Sequence, residues 1–183
     1  TVLGRTSAFL LSNGDIVGPD GTNLPLIKDA APTAYVAIFH RNHLPIRTSA
    51  TLDLVSPSSY DMTALANVYN DGSVANDPVV DLGAGVYGMI GGDSNGDGVV
   101  RYTNGFIPPS TFIDSDAIEV FSTLGNTANG QIDGYNNSDI NMDGFVRYTN
   151  GFIPPSTFID SDAIEIFSIL GNESNAQLNK NLD

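Results

Sequence analysis

The sequence predicts a mainly β protein with short helices, in which an N-terminal β-sandwich precedes a duplicated loop–helix unit. In the first part of the chain, short apolar runs alternate with clusters of Gly, Pro, Asn and Asp, as strands and turns do. The second part contains an internal repeat, in which residues 100–119 and 146–165 are identical. We therefore expect an Ig-like sandwich with its connector at 1–85 and a duplicated domain at 86–183.

The strand predictions rest on apolar or alternating runs that are bounded by turn-forming residues. Short strands at this density are typical of a sandwich, and the apolar run 34–39 is expected to be a central strand covered on both faces. Residues 64–69 fit one helical turn or a loop, 70–82 fit a polar connection, and 86–90 lead into the duplicated domain. The predicted strands lie within Ser7–Leu11, Asp15–Val17, Leu24–Ile27, Ala34–His40, Pro45–Thr48 and Thr51–Val55.

The composition is strongly acidic, with 21 Asp and Glu against 7 Lys and Arg and a formal charge of −14. Such a surface repels nucleic acids and anionic lipids, so we expect neither as a partner. No apolar run approaches the roughly 20 residues of a membrane-spanning helix. The chain has no cysteine, and it lacks the common nucleophile, zinc-helix and phosphate-loop motifs, so we expect no enzymatic activity. The acids form either a solvated surface or the ligands of a hard cation, and their spacing decides between the two.

The repeated units span about 93–126 and 139–172, and each begins with the spacing of an EF-hand calcium loop. Alternate residues of such a loop converge on one centre, and a Gly at the sixth position permits the sharp turn. Asp and Asn also make ordinary turns, but two copies at matched offsets favour two Ca²⁺ sites. The first copy offers Asp93, Asn95, Asp97 and the carbonyl of Val99. The second copy offers Asp139, Asn141, Asp143 and the carbonyl of Phe145.

The twelfth position, where an EF-hand loop has its closing acid, holds Asn104 in the first copy and Asn150 in the second. We therefore expect an insertion, 101–113 in the first copy, before the chain returns with a carboxylate. The preferred closing ligands are Asp116 and Asp162. The other candidates are Asp114 and Asp160, followed by Glu119 and Glu165.

A helix is expected directly after the insertion. Ile118, Phe121 and Leu124 have the spacing of one helix face, and Gly125 suits the end of the helix. Asp116 and Glu119 have the Asp-x-x-Glu form of a capping box, with Asp116 as the N-cap. A carboxylate at the start of this helix is well placed to close the loop.

Two further features have alternative interpretations. The insertion, YTNGFIPPSTFI at 102–113, is apolar for a loop. It packs either on its own helix or the sandwich, or it contacts another subunit, and a duplicated contact of that kind propagates into a fibre. His40 and His43 suit a hydrogen-bonded corner better than a transition-metal site, because no acid accompanies them.

The Asp-x-Asn-x-Asp-Gly loop followed by one helix, used twice, resembles the dockerin module. It resembles more closely the duplicated calcium-loop modules at the C-terminus of large Bacteroidetes surface and secreted proteins. Those modules combine a β-sandwich, bearing a segment like AYVAIFHRNHL at 34–44, with loops like GDSNGDGVVRYT at 92–103. The resemblance implies a calcium-binding extracellular or cell-surface module. We expect a structural, adhesive or assembly role for it, as a homo-oligomer or filament formed through the apolar insertions. The alternative is a dockerin-like or glycan-binding module that attaches a larger secreted protein to a protein or glycan partner.

Overall fold

A computed structural model describes residues 2–27, 31–56, 58–72, 76–107, 111–153, 157–180 and 182. Within these residues the protein consists of short antiparallel strand pairs, two α-helices and one 3-10 turn, which confirms the mainly β class. The chain divides into two compact units. One is Thr1–Val36 with Ala50–Tyr60, and the other is Ala37–Ser49 with Asp61–Asp183. The domain boundary that we expect after residue 85 stays a prediction.

Each sheet in the described residues has two strands. In the first unit β1 pairs with β2 and β3 with β6. In the second unit the pairs are β4–β5, β7–β8, β9–β16, β10–β11, β12–β13 and β14–β15. The strands are β1 (Phe9–Leu10), β2 (Ile16–Val17), β3 (Thr33–Ala34), β4 (Ala37–Ile38), β5 (Ile46–Arg47), β6 (Leu52–Asp53), β7 (Val79–Asp81), β8 (Tyr87–Met89), β9 (Val99–Arg101), β10 (Gly105–Ile107), β11 (Thr111–Ile113), β12 (Gln131–Asp133), β13 (Phe145–Arg147), β14 (Gly151–Ile153), β15 (Thr157–Ile159) and β16 (Gln177–Asn179).

The prediction of a covered central strand at 34–39 is wrong. This run is divided between β3 and β4, which belong to different units. Tyr35 is 51% exposed and Phe39 is 72% exposed, so alternate side chains face solvent. Because each half of the run pairs with a single strand, neither half is enclosed as a central strand would be. The helical-turn interpretation of 64–69 is confirmed by the 3-10 turn at Leu65–Asn67.

Each repeat is followed by a short strand, and with that strand counted as part of the repeat, the two repeats of the second unit exchange their last strands. β12, at the end of the first repeat, pairs with β13 in the second loop, with Ile132 opposite Val146. β16, at the end of the second repeat, pairs with β9 in the first loop, with Leu178 opposite Val100. The two pairings are related by the same offset as the sequence repeat. Each loop is therefore closed by a strand of the other repeat, and the repeats form one pseudo-symmetric unit.

The core of the second unit is built where the two repeats meet. Val100, Val146, Val120 and Ile166 are fully buried, from the two loop strands and the two helices. Burial of each such side chain contributes about 1.5–3 kcal/mol. Aromatic contacts also cross between the repeats, with 5.1 Å between the ring centres of Tyr102 and Phe167 and 4.9 Å between Phe121 and Tyr148. One repeat alone would leave these faces exposed.

The helices follow the insertions as predicted and span α1 (Asp116–Thr123) and α2 (Asp162–Ile169). The prediction that Asp116 is the N-cap of α1 is wrong. Ser115 is the N-cap, and Asp116 is the first helical residue. The Ser115 hydroxyl accepts a hydrogen bond from the Ile118 N–H at 3.2 Å. This serine satisfies a helix donor and leaves the neighbouring carboxylate free for the loop.

The buried face of α1 differs from the predicted one. Ala117, Val120 and Leu124 are buried, whereas Ile118 and Phe121 are half-buried. The core lies on the side of the loop strands, and this turns Ala117 inward in place of Ile118. Gly125 has a φ of +63° directly after the helix, which confirms the predicted helix end.

The insertion is a β-hairpin in both repeats. β10 and β11 pair with Phe106 opposite Phe112, and β14 and β15 pair in the equivalent register. The Asn104 side chain closes the base of the first hairpin by accepting a 2.8 Å bond from the Ser115 N–H. Residues 108–110 of the predicted insertion, and 154–156 in the second copy, lie outside the described residues. Phe112 is 55% exposed, and whether the hairpins contact another subunit stays a prediction.

Candidate metal centre

The first loop holds a buried carboxylate at its first position. Asp93 is only 4% exposed, and its Oδ2 accepts a 3.1 Å bond from the Gly98 N–H. Its Oδ1 is buried and has no hydrogen-bond partner among the described residues. A buried charged oxygen without a partner is costly. This atom is therefore an open acceptor inside the loop.

The next two predicted ligands shape the loop backbone. Asn95 Oδ1 accepts a bond from the Asp97 N–H at 2.9 Å, and Asp97 Oδ1 accepts one from the Val99 N–H at 2.8 Å. These are the local turns that Asp and Asn favour. The second oxygen of Asp97 forms an ion pair with Arg101 at 2.7 Å. Val99 itself begins β9.

Asp116 returns to this loop from the start of α1. Its carboxylate is fully buried and accepts bonds from the Arg101 N–H at 2.7 Å and the Asn95 N–H at 3.3 Å. Asp114 is exposed, and its backbone carbonyl accepts a 3.1 Å bond from the Asn95 side chain. The fold thus brings the Asp116 carboxylate into the loop, while Asp114 contributes a main-chain contact. Glu119 is half-buried one turn further along the helix.

The second loop repeats this arrangement. Asp162 is fully buried and accepts bonds from the Ile140 N–H and the Arg147 N–H, both at 2.7 Å. Asp143 pairs with Arg147 at 2.6 Å, as Asp97 does with Arg101. The Asn141 side-chain amide donates a hydrogen bond to the backbone carbonyl of the exposed Asp160, as Asn95 does to Asp114. Phe145 is the first residue of β13. Glu165 is half-buried, and Asp139 has a buried Oδ1 that lacks a partner within the described residues.

Burial shifts the ionisation of these acids. It raises the pKa of Asp116 to about 7 and that of Asp162 to about 6. Burial also raises the pKa of Asp93, and the nearby Asp97 carboxylate adds to the shift. The negative charges of Asp93 and Asp97 contribute to the shift at Asp116 as well. Acids from both ends of the insertion therefore repel one another across the loop, and a bound cation would relieve this repulsion.

Two residues of the second unit, Asn42 and Arg41, contact the loops. The sequence pattern did not indicate either of them. Asn42 is fully buried, and its carbonyl accepts bonds from the N–H groups of Gly92 at 2.9 Å and Asp93 at 3.1 Å. Its side-chain amide donates to the carbonyl of Asp139 at 2.7 Å. Arg41 pairs with the Asp139 carboxylate at 3.3 Å. Nothing in the spacing of the loops points to partners so far away in the sequence.

The neighbouring histidines form the predicted hydrogen-bonded corner. The backbone N–H of His43 donates to the backbone carbonyl of His40. The ring Nδ1 atoms of the two histidines lie 3.0 Å apart. Burial lowers the pKa of His43 to about 4 and also lowers that of His40, so both shifts favour the uncharged rings.

Comparison with protein-family models, curated proteins and solved structures finds no match. Neither helix in the described residues is long and apolar enough to cross a membrane. The same residues contain no group of three or more His, Cys, Asp or Glu side chains that could hold a metal ion. In each loop, some carboxylate oxygens are engaged by arginine and by backbone N–H groups.

The donor set still suits a hard cation in its chemistry. Each loop offers only oxygen atoms, from carboxylates, an Asn side chain and the backbone, and Ca²⁺ prefers such ligands. Each loop also contains one buried carboxylate oxygen that lacks a partner among the described residues, on Asp93 or Asp139. The donor chemistry is therefore that of a hard-cation site, and binding of an ion would require the arginine to leave the Asp97 or Asp143 carboxylate.

Proposed function

We propose that this chain binds two Ca²⁺ ions, one in each loop, and that the ions stabilise an extracellular module. The single observation that supports this most directly is the buried, partnerless Oδ1 at the first position of each loop. The first ion would be held by Asp93, Asn95, Asp97, the carbonyl of Val99 and Asp116. The second would be held by Asp139, Asn141, Asp143, the carbonyl of Phe145 and Asp162.

The ion would supply a positive charge at the point where acids distant in sequence converge. Asp93 precedes the hairpin β10–β11 in the chain and Asp116 follows it. A charge that joins the two acids holds the base of this hairpin in a fixed position. Because unfolded loops do not form such a site, the binding free energy adds to the stability of the fold.

The biological role that we propose is structural: an adhesion or assembly module of a surface or secreted protein, without enzymatic activity. In this proposal a β-sandwich precedes a dockerin-like pair of calcium loops. The exposed Phe112 on the first hairpin supports a contact role, because a large apolar side chain gains from being covered. The alternative, attachment to a glycan, is favoured by Tyr135, which is 81% exposed and suited to stacking on a sugar.

Calcium binding is tested by thermal unfolding and by titration calorimetry of the full chain. We expect EDTA to lower the melting temperature, and Ca²⁺, but not an equal concentration of Mg²⁺, to restore it. The calorimetric titration should show two ions per chain. A melting temperature that is unchanged by EDTA and Ca²⁺, together with no heat of binding, would overturn the proposal.

The ligand assignment is tested with a matched pair of variants. Asp116→Asn removes a buried carboxylate from the first loop, whereas Asp114→Asn makes the same chemical change at an exposed position two residues earlier. We expect the first variant to lose one of the two ions and the second to bind both. The reverse result would assign the closing role to Asp114.

A further inference from the structure

The two loops differ in one buried charge. The side chains of Arg41 and Asp139 are only 9% and 3% exposed, and the guanidinium Nη2 lies 3.3 Å from Asp139 Oδ2. On Asp93, the equivalent acid of the first loop, Oδ2 instead accepts a bond from the Gly98 N–H. The second loop therefore contains a built-in cation at the acid that occupies its first ligand position.

Arg41 is held firmly in this place. Its Nη1 donates a 2.8 Å bond to the carbonyl of Asn136, and its guanidinium lies 4.1 Å from the centre of the Tyr135 ring. The next residue, Asn42, is bonded to the carbonyl of Asp139. The ion pair with Asp139, the bond to Asn136 and the Tyr135 contact thus fix the guanidinium beside the second loop, and the charge cannot move into solvent without breaking them.

The other charges of the two loops match. Arg101 pairs with Asp97 in the first loop and Arg147 pairs with Asp143 in the second, at nearly equal distances. A further cation, Lys180, packs its side chain over Gly98 in the first loop, but it is exposed, and water screens its charge. Among the described residues, Arg41 is the one buried cation that distinguishes the two loops.

We propose that Arg41 acts as an internal counter-ion that makes the two calcium sites unequal, with tight binding in the first loop and weak binding in the second. This inference rests on the proposed calcium binding. A fixed positive charge near a divalent ion opposes its binding. Even at the dielectric constant of water, the repulsion at about 5 Å corresponds to roughly tenfold in affinity. The first loop depends on calcium for its charge balance, while the second is partly neutralised without it.

The sites can be separated with two equivalent variants. Asp116→Asn leaves the second loop intact, and Asp162→Asn leaves the first. We expect calorimetric titration with Ca²⁺ to give a Kd for the second loop that is at least roughly tenfold higher than that for the first. Equal Kd values in the two variants would overturn the inference. Absence of binding in both, and in the parent chain, would overturn the calcium proposal as well.

The role of Arg41 is tested directly in the Asp116→Asn chain. Arg41→Gln is expected to tighten Ca²⁺ binding by the second loop roughly tenfold, whereas Arg41→Lys, which keeps the charge, should leave the Kd high. Lys180→Gln in the Asp162→Asn chain is the matched control, and we expect it to change the Kd of the first loop by less than about threefold. In EDTA, Arg41→Gln should also lower the melting temperature, and Ca²⁺ should recover it.

These outcomes distinguish a charge effect from a packing effect. If Arg41 served packing alone, Arg41→Gln would weaken binding or leave it unchanged, and either result would overturn the inference. Should Arg41→Gln not fold, the comparison of the two single-site variants still decides whether the sites are unequal. Arg41→Lys then decides whether charge alone maintains the weak site.

Discussion

The side-chain amide of Asn42 donates a 2.7 Å hydrogen bond to the backbone carbonyl of Asp139, a residue 97 positions later in the chain. The carbonyl of the same asparagine accepts bonds from the first loop, at Gly92 and Asp93. One fully buried residue therefore joins the first ligand positions of both loops. The hydrogen bonds of Asn42 therefore fix the distance between the two loops.

Replacement of Asn42 by Ala is expected to destabilise the protein by about 1–3 kcal/mol, because the Asp139 carbonyl loses a buried partner. Chemical denaturation measures this difference. Asn67→Ala is the matched control, since its amide also donates a 2.7 Å bond to a backbone carbonyl, but at an exposed site. The control should cost less than about 1 kcal/mol. Equal losses in the two variants would show that Asn42 has no special role.

The helix caps offer a second prediction. Ser115→Ala removes the hydroxyl that accepts the Ile118 N–H, so we expect a loss of about 1 kcal/mol in the free energy of unfolding. Ser122→Ala lies on the exposed side of the same helix and should be neutral or slightly stabilising, because Ala favours helix. Denaturation curves of the two variants compare them. A neutral Ser115→Ala would contradict the assignment of Ser115 as N-cap.

A third prediction concerns pH in the absence of calcium. Burial raises the folded-state pKa of Asp116 to about 7 and that of Asp162 to about 6, above their value near 4 in an unfolded chain. Between about pH 4 and 7 the folded state then holds more protons than the unfolded state. These two acids therefore reduce stability as pH rises through this range. The lowered pKa of His43 acts in the opposite direction up to about pH 6.5.

The contribution of the acids is isolated by comparing the parent chain with the double variant Asp116→Asn/Asp162→Asn in EDTA. We expect the melting temperature of the variant, relative to that of the parent, to increase as pH rises from 5 to 7.5. The histidine effect is common to both chains and cancels in the difference. A difference that does not depend on pH would refute the prediction.

Much of the candidate site could be predicted from the sequence because its chemistry is local. The spacing of Asp93, Asn95 and Asp97 is a property of five consecutive residues, and the identical segments after each loop indicate a common structure. The mainly β class and the helix end at Gly125 followed from local turn and periodicity signals, which the structure confirms. The return of Asp116 to the loop was also expected, because a helix was predicted to begin there.

The contacts that depend on distant segments could not be predicted in the same way. Arg41 and Asn42 reach the loops from a strand corner almost a hundred residues away from Asp139. The exchanged strands β12 and β16 have only three residues each, with too few apolar positions to show a period. The prediction of one central strand at 34–39 is wrong because the apolar composition of this run does not reveal that its two halves belong to different units.

The strand exchange leads to the last prediction. Leu178 in β16 lies opposite Val100 in the first loop and packs against the core, so Leu178→Ala should cost about 2 kcal/mol. Its effect should reach the first loop, although Leu178 belongs to the second repeat. Ile132→Ala, at the equivalent position opposite Val146, should affect the second loop instead.

Amide hydrogen exchange followed residue by residue distinguishes the two variants. Leu178→Ala is expected to accelerate exchange in β9 around Val100 while β13 around Val146 stays protected, because local opening follows the strand that loses its partner. Ile132→Ala should give the inverse pattern, with a smaller loss of stability, since Ile132 is 37% exposed. If each variant instead loosened the loop of its own repeat, the repeats would be independent units, and the exchanged pairing could not be what closes the loops.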